Sequence, residues 1–458
     1  MDEIRKNIVK GKKISILGMA RSGVAVAELL KSNGALPFVS DCGDSLKLSD
    51  ALSSLKNLKI EHETGGHTNK VYDSNMLVLS PGVPSSSPAV IEAARRGLKI
   101  FSELEVASWF CRAPIVAVTG TNGKTTTTSL LGNIFSDAGR NVSVGGNIGN
   151  AFSGFVGQLS DDAVGILEVS SFQLDYIESF HPHISVLLNI TPDHLDRYEN
   201  NFQNYIDSKC RIFKNQNKND YLIYNYDDVE TRKAVDILAS NNARQMPFGI
   251  ERKFHEGAFI EDNQVVIMID GDKTEIINTD EIKIRGTHNL YNSMAAALAA
   301  LLMNVSPATI KSTLKIFPGV EHRLEFIREL DGVKYINDSK ATNVDSVLYA
   351  LQAYKEPIIA LIGGRDKGND YSKLLEPVRE HVKTIIAIGE SAVKVRNAFS
   401  GLKKVVVASS MSQAVDEARK FASHGDIVLL SPACASFDWF QNYEHRGKVF
   451  KEIVMALN

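Results

Sequence analysis

The chain has 458 residues, of which 44% are hydrophobic and 23% are charged, values that are ordinary for globular proteins. At roughly 150 residues per domain, this length predicts about three domains. The 51 basic and 54 acidic side chains give a net charge of −3, which excludes a generally basic nucleic-acid binder, so we expect no nucleic-acid partner. No uninterrupted apolar run approaches the ~20 residues that cross a bilayer, so we expect no membrane span.

Cysteine usage and the first residues bear on the cellular compartment. The four cysteines are widely spaced and form no metal-type pair; they are Cys42, Cys111, Cys210 and Cys434. We therefore predict reduced thiols in a cytoplasmic enzyme, which we also expect to be a monomer. The apolar stretch at 14–20 is short and Arg21 ends it without a small-residue cleavage site, so we expect no signal peptide.

The first pattern along the chain is a strand, a glycine-rich turn, a helix and a second strand. A strand at 13–17 leads into Gly18-Met-Ala-Arg-Ser-Gly23, and the second strand at 36–40 ends at Asp41. This order approximates a dinucleotide-binding fold. The dinucleotide fingerprint prefers glycine where Ala20 stands, which argues against a dinucleotide pyrophosphate lying close to this turn.

The strongest functional signal is a glycine-rich loop between a strand at 115–118 and a helix that extends to about residue 138. The loop reads Gly120-Thr-Asn-Gly-Lys-Thr-Thr126. Glycines let a phosphate approach the backbone, amide N–H groups donate to it, and the helix N-terminus adds positive potential. Lys124 can neutralise terminal phosphate charge, and the Thr125 hydroxyl can bind Mg²⁺. The general phosphate-loop pattern has glycine at the position of Val118.

Two groups of polar residues follow predicted buried strands. Glu168 lies near the end of a strand at 164–169, where a carboxylate close to a phosphate loop suits Mg²⁺. A strand at 184–190 is followed by Asp193-His-Leu-Asp-Arg-Tyr198. Ligands of parallel sheets bind outside the carboxyl ends of the strands, so His194 is a candidate metal ligand.

The remaining elements alternate between strands and helices, which predicts mostly parallel sheets. The predicted features are a hairpin at Asp270-Gly271, a helix at 294–303, a hairpin across 329–335, and strands at 358–362, 384–388, 405–407 and 427–430. The predicted fold class is α/β with three domains. The N-terminal and C-terminal domains are Rossmann-like, and the central domain is a parallel sheet of the P-loop ATPase type.

Motifs along nearly the whole chain resemble the Mur ligase family, ATP-dependent amide-forming enzymes of peptidoglycan synthesis. In chain order they lie at 119–126, Glu168 with Ser170 and Ser171, 193–198, 205–209, 288–292, 321–323 and 337–340. Two C-terminal stretches, 338–343 and 431–438, resemble the family member that joins D-glutamate to UDP-N-acetylmuramoyl-L-alanine. The resemblance implies this reaction through an acyl phosphate, with ATP and Mg²⁺.

The resemblance also implies roles for individual residues. The implied ATP-binding residues are Gly120, Thr121, Asn122, Gly123, Lys124, Thr125, Thr126, Asn289, Asn292, Arg323 and Asp338. The implied Mg²⁺ ligands are Thr125, Glu168, His194 and Lys209 as a carbamate, and the implied catalytic set is Lys124, Glu168, His194 and Lys209. The implied D-glutamate residues are Thr342, Lys367, Ser436 and Phe437. The implied residues for the UDP-sugar are Arg21, Ser22, Asp41, Cys42, Gly82 and Asn147.

The implied domains are a UDP-sugar-binding domain at 1–111, a central ATP-binding ligase domain at 112–318, and a domain at 319–458 that binds the amino acid and closes over ATP. Plainer readings of single residues stay open at this point. Asn289 and Asn292 could begin a helix, Lys367 could be a solvated loop charge, and Lys209 could be a surface lysine paired with Asp207.

Three other functions compete with this interpretation. A folylpolyglutamate synthetase-like ligase or another Mur-type ligase shares the phosphate loop, although the former is not expected to carry the N-terminal glycine-rich domain. A nicotinamide-dependent oxidoreductase leaves the loop around Lys124 unexplained. A P-loop ATPase that acts as a switch or transporter subunit leaves the C-terminal motifs unexplained.

Overall fold

The computed structural model describes residues 8–46, 48–239, 243–366 and 368–458. They form two compact units. The first comprises the described residues up to Glu281 together with Tyr291–Lys315, and the second comprises Ile282–Leu290 and Ile316–Asn458. Within the described residues, no helix combines the length and the apolar character needed to cross a bilayer. All four cysteines are free thiols, as predicted.

The first unit begins with a five-stranded parallel sheet in the order β3-β2-β1-β4-β5. Its strands are β1 (Lys13–Leu17), β2 (Leu36–Ser40), β3 (Glu61–Glu63), β4 (Met76–Leu79) and β5 (Lys99–Ser102). Its helices are α1 (Arg21–Ser32), α2 (Ser49–Asn57), α3 (Pro88–Arg95) and α4 (Glu103–Ser108). Apart from its first residue β1 is buried, as expected for a central strand covered on both faces.

The same unit contains a nine-stranded sheet in the order β14-β13-β12-β11-β10-β9-β6-β8-β7. Its strands are β6 (Ile115–Thr119), β7 (Val142–Gly146), β8 (Val164–Glu168), β9 (Ile184–Leu187), β10 (Tyr221–Asn225), β11 (Arg244–Phe248), β12 (Gly257–Glu261), β13 (Gln264–Ile269) and β14 (Asp272–Asn278). The pairs from β7 to β11 are parallel, and β12, β13 and β14 form antiparallel pairs. Asp270 and Gly271 turn the β13–β14 hairpin with positive φ, as predicted.

The helices that follow β6 through β14 are α5 (Lys124–Asp137), α6 (Ser171–Leu174), α7 (Phe202–Cys210), α8 (Val229–Leu238), α9 (Thr287–Leu302) and α10 (Pro307–Ile316). The chain passes between the two units within α9 and near the end of α10. The helix predicted at 294–303 corresponds to α9, which begins earlier, at Thr287. Only Leu290 and Tyr291 are apolar among the first residues of α9, so its first turn was harder to predict than the alanine-rich part that follows.

The second unit contains a six-stranded sheet in the order β15-β16-β20-β17-β18-β19. Its strands are β15 (Glu325–Leu330), β16 (Val333–Asn337), β17 (Ile358–Gly363), β18 (Val382–Ile388), β19 (Lys404–Val407) and β20 (Ile427–Leu430). Its helices are α11 (Val344–Gln352), α12 (Leu375–His381), α13 (Ala392–Phe399), α14 (Met411–Phe421) and α15 (Tyr443–Met455). Only β15 is antiparallel to its neighbour, and Asp331 and Gly332 form the predicted hairpin turn.

The three parallel-rich sheets confirm the predicted α/β fold class. The domain boundaries after residues 111 and 318 stay predictions. Val118, where the general phosphate-loop pattern has glycine, is fully buried inside β6 and pairs with Glu168 of β8 and Val186 of β9. The strand therefore continues through this position, and the phosphate loop starts only at Gly120.

A buried carboxylate ties α4 to the segment between α6 and β9. Glu105 is fully buried and accepts hydrogen bonds from the Trp109 indole at 2.8 Å, from the Ser179 hydroxyl at 2.5 Å, and from three backbone N–H groups at 178–180. A buried charge is stable when hydrogen bonds of this kind replace its hydration. The carboxylate thus joins the last helix after the five-stranded sheet to the nine-stranded sheet.

We expect Glu105→Gln to lower the free energy of unfolding of the first unit by about 3 kcal/mol. The glutamine amide replaces one acceptor oxygen by an NH₂ group, which faces the N–H and O–H donors that bind the carboxylate and leaves some of them without an acceptor. Urea unfolding followed by Trp109 fluorescence, in a Trp439→Phe background, measures the change. The control is Glu178→Gln, whose exposed side chain pairs only with Lys99 at 3.5 Å and should change stability by less than about 0.5 kcal/mol. Equal stability of the two variants would contradict this role for Glu105.

Candidate functional site

The phosphate loop follows β6 at the carboxyl edge of the nine-stranded sheet. Gly120 has φ 149°, and a Cβ there would lie 3.0 Å from the Leu188 Cβ and 3.3 Å from the Asn189 backbone nitrogen. Gly123 has φ 86° and precedes the first residue of α5. Only glycine fits both positions comfortably, which explains the sequence pattern. The N-terminus of α5 then lies directly after the loop, as a phosphate site requires.

Side chains from the segment after β9 hold this loop in one conformation. The Asn189 amide accepts from the Asn122 backbone N–H at 2.8 Å and donates to the Asn122 carbonyl at 3.0 Å. The Thr121 hydroxyl donates to the Thr191 carbonyl at 3.0 Å and accepts from the Thr191 N–H at 3.0 Å. These reciprocal bonds fix the loop before any ligand binds, so it is preorganised.

Two lysines share one carbonyl of the loop. Lys124 Nζ donates to the Gly120 oxygen at 2.8 Å and to the Thr121 oxygen at 2.9 Å, and Lys209 Nζ donates to the same Gly120 oxygen at 2.8 Å. Lys209 is only 2% exposed, so it is not the surface lysine of the plainer reading. Asp207, the acid in that reading, accepts instead from Gln203 at 2.8 Å.

The charge state of Lys209 follows from its surroundings. Burial lowers its pKa well below the usual value of 10.5, and the neighbouring Lys124 charge lowers it further. Asp193 and Glu168 act in the opposite direction and raise this pKa. The structure therefore brings three predicted site residues, Lys124, Glu168 and Lys209, into one electrostatic environment with Asp193. A buried amine of this kind is neutral more readily than an ordinary lysine.

A carboxylate, a hydroxyl and an amide meet at the ends of β7 and β8. Glu168 is 2% exposed and accepts from the Thr125 hydroxyl at 2.7 Å and from the Asn147 amide at 2.8 Å. Mg²⁺ prefers a small number of oxygen ligands from carboxylates and hydroxyls, together with phosphate oxygens and water. The oxygen atoms of Glu168 and Thr125 therefore fit this ion.

His194 lies after β9 with a left-handed backbone, φ 51°. Its exposed imidazole is 3.7 Å from an Asp193 carboxylate oxygen and packs edge-on against Phe172, with ring centroids 5.2 Å apart. An exposed imidazole held by an aromatic neighbour can still reach a ligand. The Asp193 carboxylate lies beside this imidazole, and its charge also acts on Lys209, whose pKa it raises.

Two further predicted ATP-binding residues of this unit are Thr126, in the first turn of α5, and Asn292, on α9. Thr126 is 3% exposed. The Asn292 amide oxygen accepts from the Thr127 hydroxyl at 3.2 Å, and a Cβ on Gly123 would meet this oxygen at 2.3 Å. Asn292 therefore lies directly beside the phosphate loop, and its contact with ATP stays a prediction.

A cavity of about 370 Å³ lies where the loops after β1, β2 and β4 meet the segment after β7, and we name it the substrate cavity after the sugar-nucleotide site that the family resemblance predicts there. It is lined by all six residues predicted for the UDP-sugar: Arg21, Ser22, Asp41, Cys42, Gly82 and Asn147. Asp41 accepts from the Met19 N–H at 2.6 Å and the Gly43 N–H at 2.7 Å, so its carboxylate also shapes the loop. Since Asn147 also contacts Glu168, the cavity and the Glu168 site are neighbours.

The second unit carries the other predicted ATP-binding residues. Asp338 follows β16, is 2% exposed, and accepts from the Ser431 hydroxyl at 2.8 Å. Burial raises the pKa of Asp338 to about 6, although the Arg323 charge acts in the opposite direction. Burial and, to a smaller extent, the Arg323 charge lower the pKa of His288 to about 3. The Asn289 side chain donates to the Arg285 carbonyl at 2.8 Å. This bond lies at the start of α9, as in the plainer reading of Asn289 as a residue that begins a helix.

Three of the predicted D-glutamate residues, Thr342, Ser436 and Phe437, lie in loops at the carboxyl edge of the six-stranded sheet. Ser436 is 2% exposed, Phe437 is 59% exposed, and Thr342 is half-buried. Lys367 lies outside the described residues. The loop at 364–366 pairs with the 434–437 loop through a hydrogen bond from the Arg365 N–H to the Ala435 carbonyl at 2.9 Å.

Several supporting residues were missed from the sequence. Arg446 is 1% exposed and donates to the Ser339 hydroxyl, the Ser339 carbonyl and the Cys434 carbonyl, which joins two of these loops. Arg197 donates to the Pro81 and Gly82 carbonyls at the edge of the substrate cavity, and His67 lines that cavity. Contacts between residues so distant in sequence leave no local pattern. Only the position of Arg197 beside His194 was a usable signal.

Comparison with known families gives a consistent result along the chain. Residues 12–102 match the model of the Mur ligase MurD-like N-terminal domain, residues 118–300 the Mur ligase middle domain, and residues 322–434 the Mur ligase glutamate ligase domain. The first match covers the domain that a folylpolyglutamate synthetase-like ligase was not expected to carry.

Two curated relatives are similar over their full length. The UDP-N-acetylmuramoylalanine–D-glutamate ligase of Salinibacter ruber is 46% identical, over 100% of this chain and 99% of that protein. The enzyme of the same name from Christiangramia forsetii is 45% identical, over 98% of this chain and 100% of that protein.

Solved structures agree at the level of the fold. A pseudomurein peptide ligase type C from Methanothermus fervidus is 21% identical and superposes with a TM-score of 0.59, over 98% of this chain and all of that chain. At this identity the likeness concerns the fold alone. With full-length relatives above 40% identity and three matching domain models, this chain belongs to the Mur ligase family.

Proposed function

We propose that this protein is the ATP-dependent ligase that adds D-glutamate to UDP-N-acetylmuramoyl-L-alanine during synthesis of peptidoglycan precursors. The observation that carries the proposal is the pairing of Lys124 and Lys209 on the Gly120 carbonyl, beside the Thr125–Glu168 pair and next to the substrate cavity. Such a site suits transfer of a phosphoryl group, and the cavity beside it suits an acceptor that carries a nucleotide. Full-length relatives with this activity support the choice of substrates.

The reaction has two steps. The alanine carboxylate of the sugar nucleotide attacks the γ-phosphorus of ATP. The bond between this phosphorus and the oxygen that bridges it to the β-phosphate breaks, ADP departs, and an acyl phosphate is formed. The amine of D-glutamate then attacks the acyl carbon, phosphate leaves, and the amine loses a proton as the amide forms. Most of the help for the first step is electrostatic, because the transferring group carries spread negative charge.

The phosphate-loop residues supply this help. The backbone N–H groups at 123–126 would donate to ATP phosphate oxygens, whereas those of Thr121 and Asn122 already donate to Asn189. The Lys124 ammonium would exchange its contacts with the Gly120 and Thr121 carbonyls for phosphate oxygens. One Mg²⁺, held by Thr125 and Glu168, and a second Mg²⁺, held by His194 and modified Lys209, would neutralise phosphate charge. Asn289, Asn292, Arg323 and Asp338 would contact the rest of ATP.

Lys209 would act as a carbamate. A lysine ammonium has no acceptor atom and repels Mg²⁺, so an unmodified Lys209 cannot be a ligand. The neutral amine can attack CO₂, lose a proton, and become an anionic carbamate with two oxygen ligands of the type Mg²⁺ prefers. Its burial favours the neutral amine needed for this reaction, and the nearby Lys124 charge favours both the neutral amine and an anionic product.

The two substrates would bind to separate sets of residues. Arg21, Ser22, Asp41, Cys42, Gly82 and Asn147 would hold the UDP-sugar in the substrate cavity, and Thr342, Lys367, Ser436 and Phe437 would hold D-glutamate. The domains would accordingly be residues 1–111 for the sugar nucleotide, 112–318 for ATP and 319–458 for the amino acid. We place the enzyme in the cytoplasm, where its four free cysteines would stay reduced, and expect it to be a monomer.

The proposed function is tested by ADP release from the purified chain with Mg²⁺-ATP. ADP should accumulate at a full rate only when UDP-N-acetylmuramoyl-L-alanine and D-glutamate are both present, and the product mass should equal that of their amide. Equal ADP release without the amino acid, or with a folate and L-glutamate, would contradict the proposal.

We expect Lys124→Ala to lower kcat by at least about 10³-fold, because the ammonium would stabilise charge on the transferring phosphoryl. The thermal midpoint should not fall, because the alanine removes a charge from a carbonyl-rich loop without exposing a core. The measurement pairs steady-state ADP release with thermal unfolding. The control is Lys214→Ala, an exposed lysine. Activity within a few-fold of the parent would remove Lys124 from the mechanism.

We expect Lys209→Ala to lower kcat strongly and acetate or formate to restore part of it, because a small carboxylate can supply the missing oxygen ligands. Activity is measured over a series of acetate concentrations at constant ionic strength, with chloride as the salt control. Lys124→Ala is the matched variant and should gain nothing from acetate, since it lacks a cation. Full activity of Lys209→Ala, or no rescue, would contradict the carbamate.

A further inference from the structure

A second cavity lies at the opposite end of the five-stranded sheet from the substrate cavity. It has a volume of about 390 Å³, close to that of the substrate cavity, and is lined by the first residues of β1 and β2 and by the start of β3. The strands of this sheet are parallel, so their amino ends lie together on this side. None of the roles proposed above uses this end of the sheet.

The floor of the second cavity is apolar except for one hydroxyl. Register pairs Ser15 with Phe38, and Phe38 with Glu61, so these three side chains point to the same face of the sheet. Phe38 is 9% exposed, and Leu36, two residues before it on the same face, is 58% exposed. An aromatic ring or another flat apolar group can therefore pack against Phe38 and Leu36.

The single hydroxyl on this floor lacks a partner. Ser15 is 1% exposed, and its Oγ makes no hydrogen bond within the described part of the chain. An unsatisfied hydroxyl in a buried position is unfavourable, and such groups need an explanation. An acceptor atom of a ligand that reaches the floor would satisfy it.

The rim of the second cavity carries more positive than negative charge. Two of its four lysines are already paired, Lys13 with Asp73 at 2.7 Å and Lys70 with Glu61 at 2.5 Å. The Lys31 ammonium donates only to the Leu58 and Lys59 carbonyls. Lys59 is exposed and pairs with no carboxylate among the described residues. The rim thus has two positive charges that no acid neutralises.

We propose that the second cavity binds a small organic anion with an aromatic body. Its ring packs on Phe38 and Leu36, its anionic group contacts Lys31 and Lys59, and one of its oxygens accepts from Ser15. The same combination of an apolar body and few polar contacts is typical of small-molecule sites. The site is separate from the sugar-nucleotide and ATP sites, so occupants of those sites should not displace its ligand.

Phenyl phosphate tests this site by calorimetry on the full chain, with UDP and Mg²⁺-ADP present at saturating concentration to fill the other anion sites. We expect saturable binding with one site, at least about ten-fold tighter than inorganic phosphate, because only the ring reaches the apolar floor. Lys59→Met should weaken binding several-fold, Ser15→Ala about three-fold, and the double variant Lys31→Met/Lys59→Met more than about ten-fold.

The matched control is Lys56→Met, an exposed lysine of α2 that does not line the cavity and should leave the affinity unchanged. Thermal midpoints identify any variant that fails to fold, and Lys59→Met keeps the test valid because Lys59 makes no ion pair to lose. Absence of saturable binding, equal affinity for inorganic phosphate, or unchanged affinity in Lys59→Met and the double variant would each overturn the proposal.

Discussion

The contact on which the active-site structure depends is a single carbonyl, that of Gly120, which accepts from the side chains of both Lys124 and Lys209. Two like charges 4 Å apart repel by about 4 kcal/mol at an effective dielectric of 20, so two full ammonium groups at one neutral acceptor are unfavourable. Burial and the Lys124 charge reduce this repulsion by lowering the pKa of Lys209. A phosphate at Lys124 and a carbamate at Lys209 would remove it.

The same constraint explains the rigidity around the loop. The Gly120 carbonyl can accept from both lysines only if its peptide group keeps one orientation. The reciprocal bonds of Asn189 with Asn122 and of Thr121 with Thr191 fix the backbone of the loop in this orientation. Glu168 extends the network in the other direction, through Thr125 on α5 and Asn147 on the wall of the substrate cavity. A substrate in that cavity therefore lies next to the groups that would hold metal and phosphate.

Much of the fold could be predicted because its strands are short, apolar and separated by glycine. The strands at 13–17, 36–40 and 427–430 were predicted to the residue, since buried parallel strands appear as continuous apolar runs. The segment after β9 was predicted to remain extended to residue 190, whereas the strand ends at Leu187. Leu188 and Ile190 are still apolar, but the Asn189 carbonyl accepts from the Thr121 N–H of the phosphate loop and the Ile190 N–H donates to the Asp228 side chain.

The candidate site was predictable wherever a local pattern sets the geometry, as in the phosphate loop and at Glu168. It was less predictable where burial decides the chemistry. Nothing in the local sequence distinguishes Lys209 from a surface lysine of an amphipathic helix; its burial results from packing of α7 against the phosphate loop. Arg446 and Arg197 were missed for the same reason, because each binds carbonyls about a hundred residues away.

The central claim, that this charged loop serves phosphoryl transfer to the carboxylate of the sugar nucleotide, is tested most directly with isotopic oxygen. UDP-N-acetylmuramoyl-L-alanine is labelled with ¹⁸O in both carboxylate oxygens and converted with ATP and D-glutamate, and the inorganic phosphate is analysed by mass spectrometry. Attack of the carboxylate on the γ-phosphorus predicts one ¹⁸O atom in each phosphate and one in the new amide. Phosphate without ¹⁸O would show that the carboxylate never bonds to phosphorus and would contradict the claim.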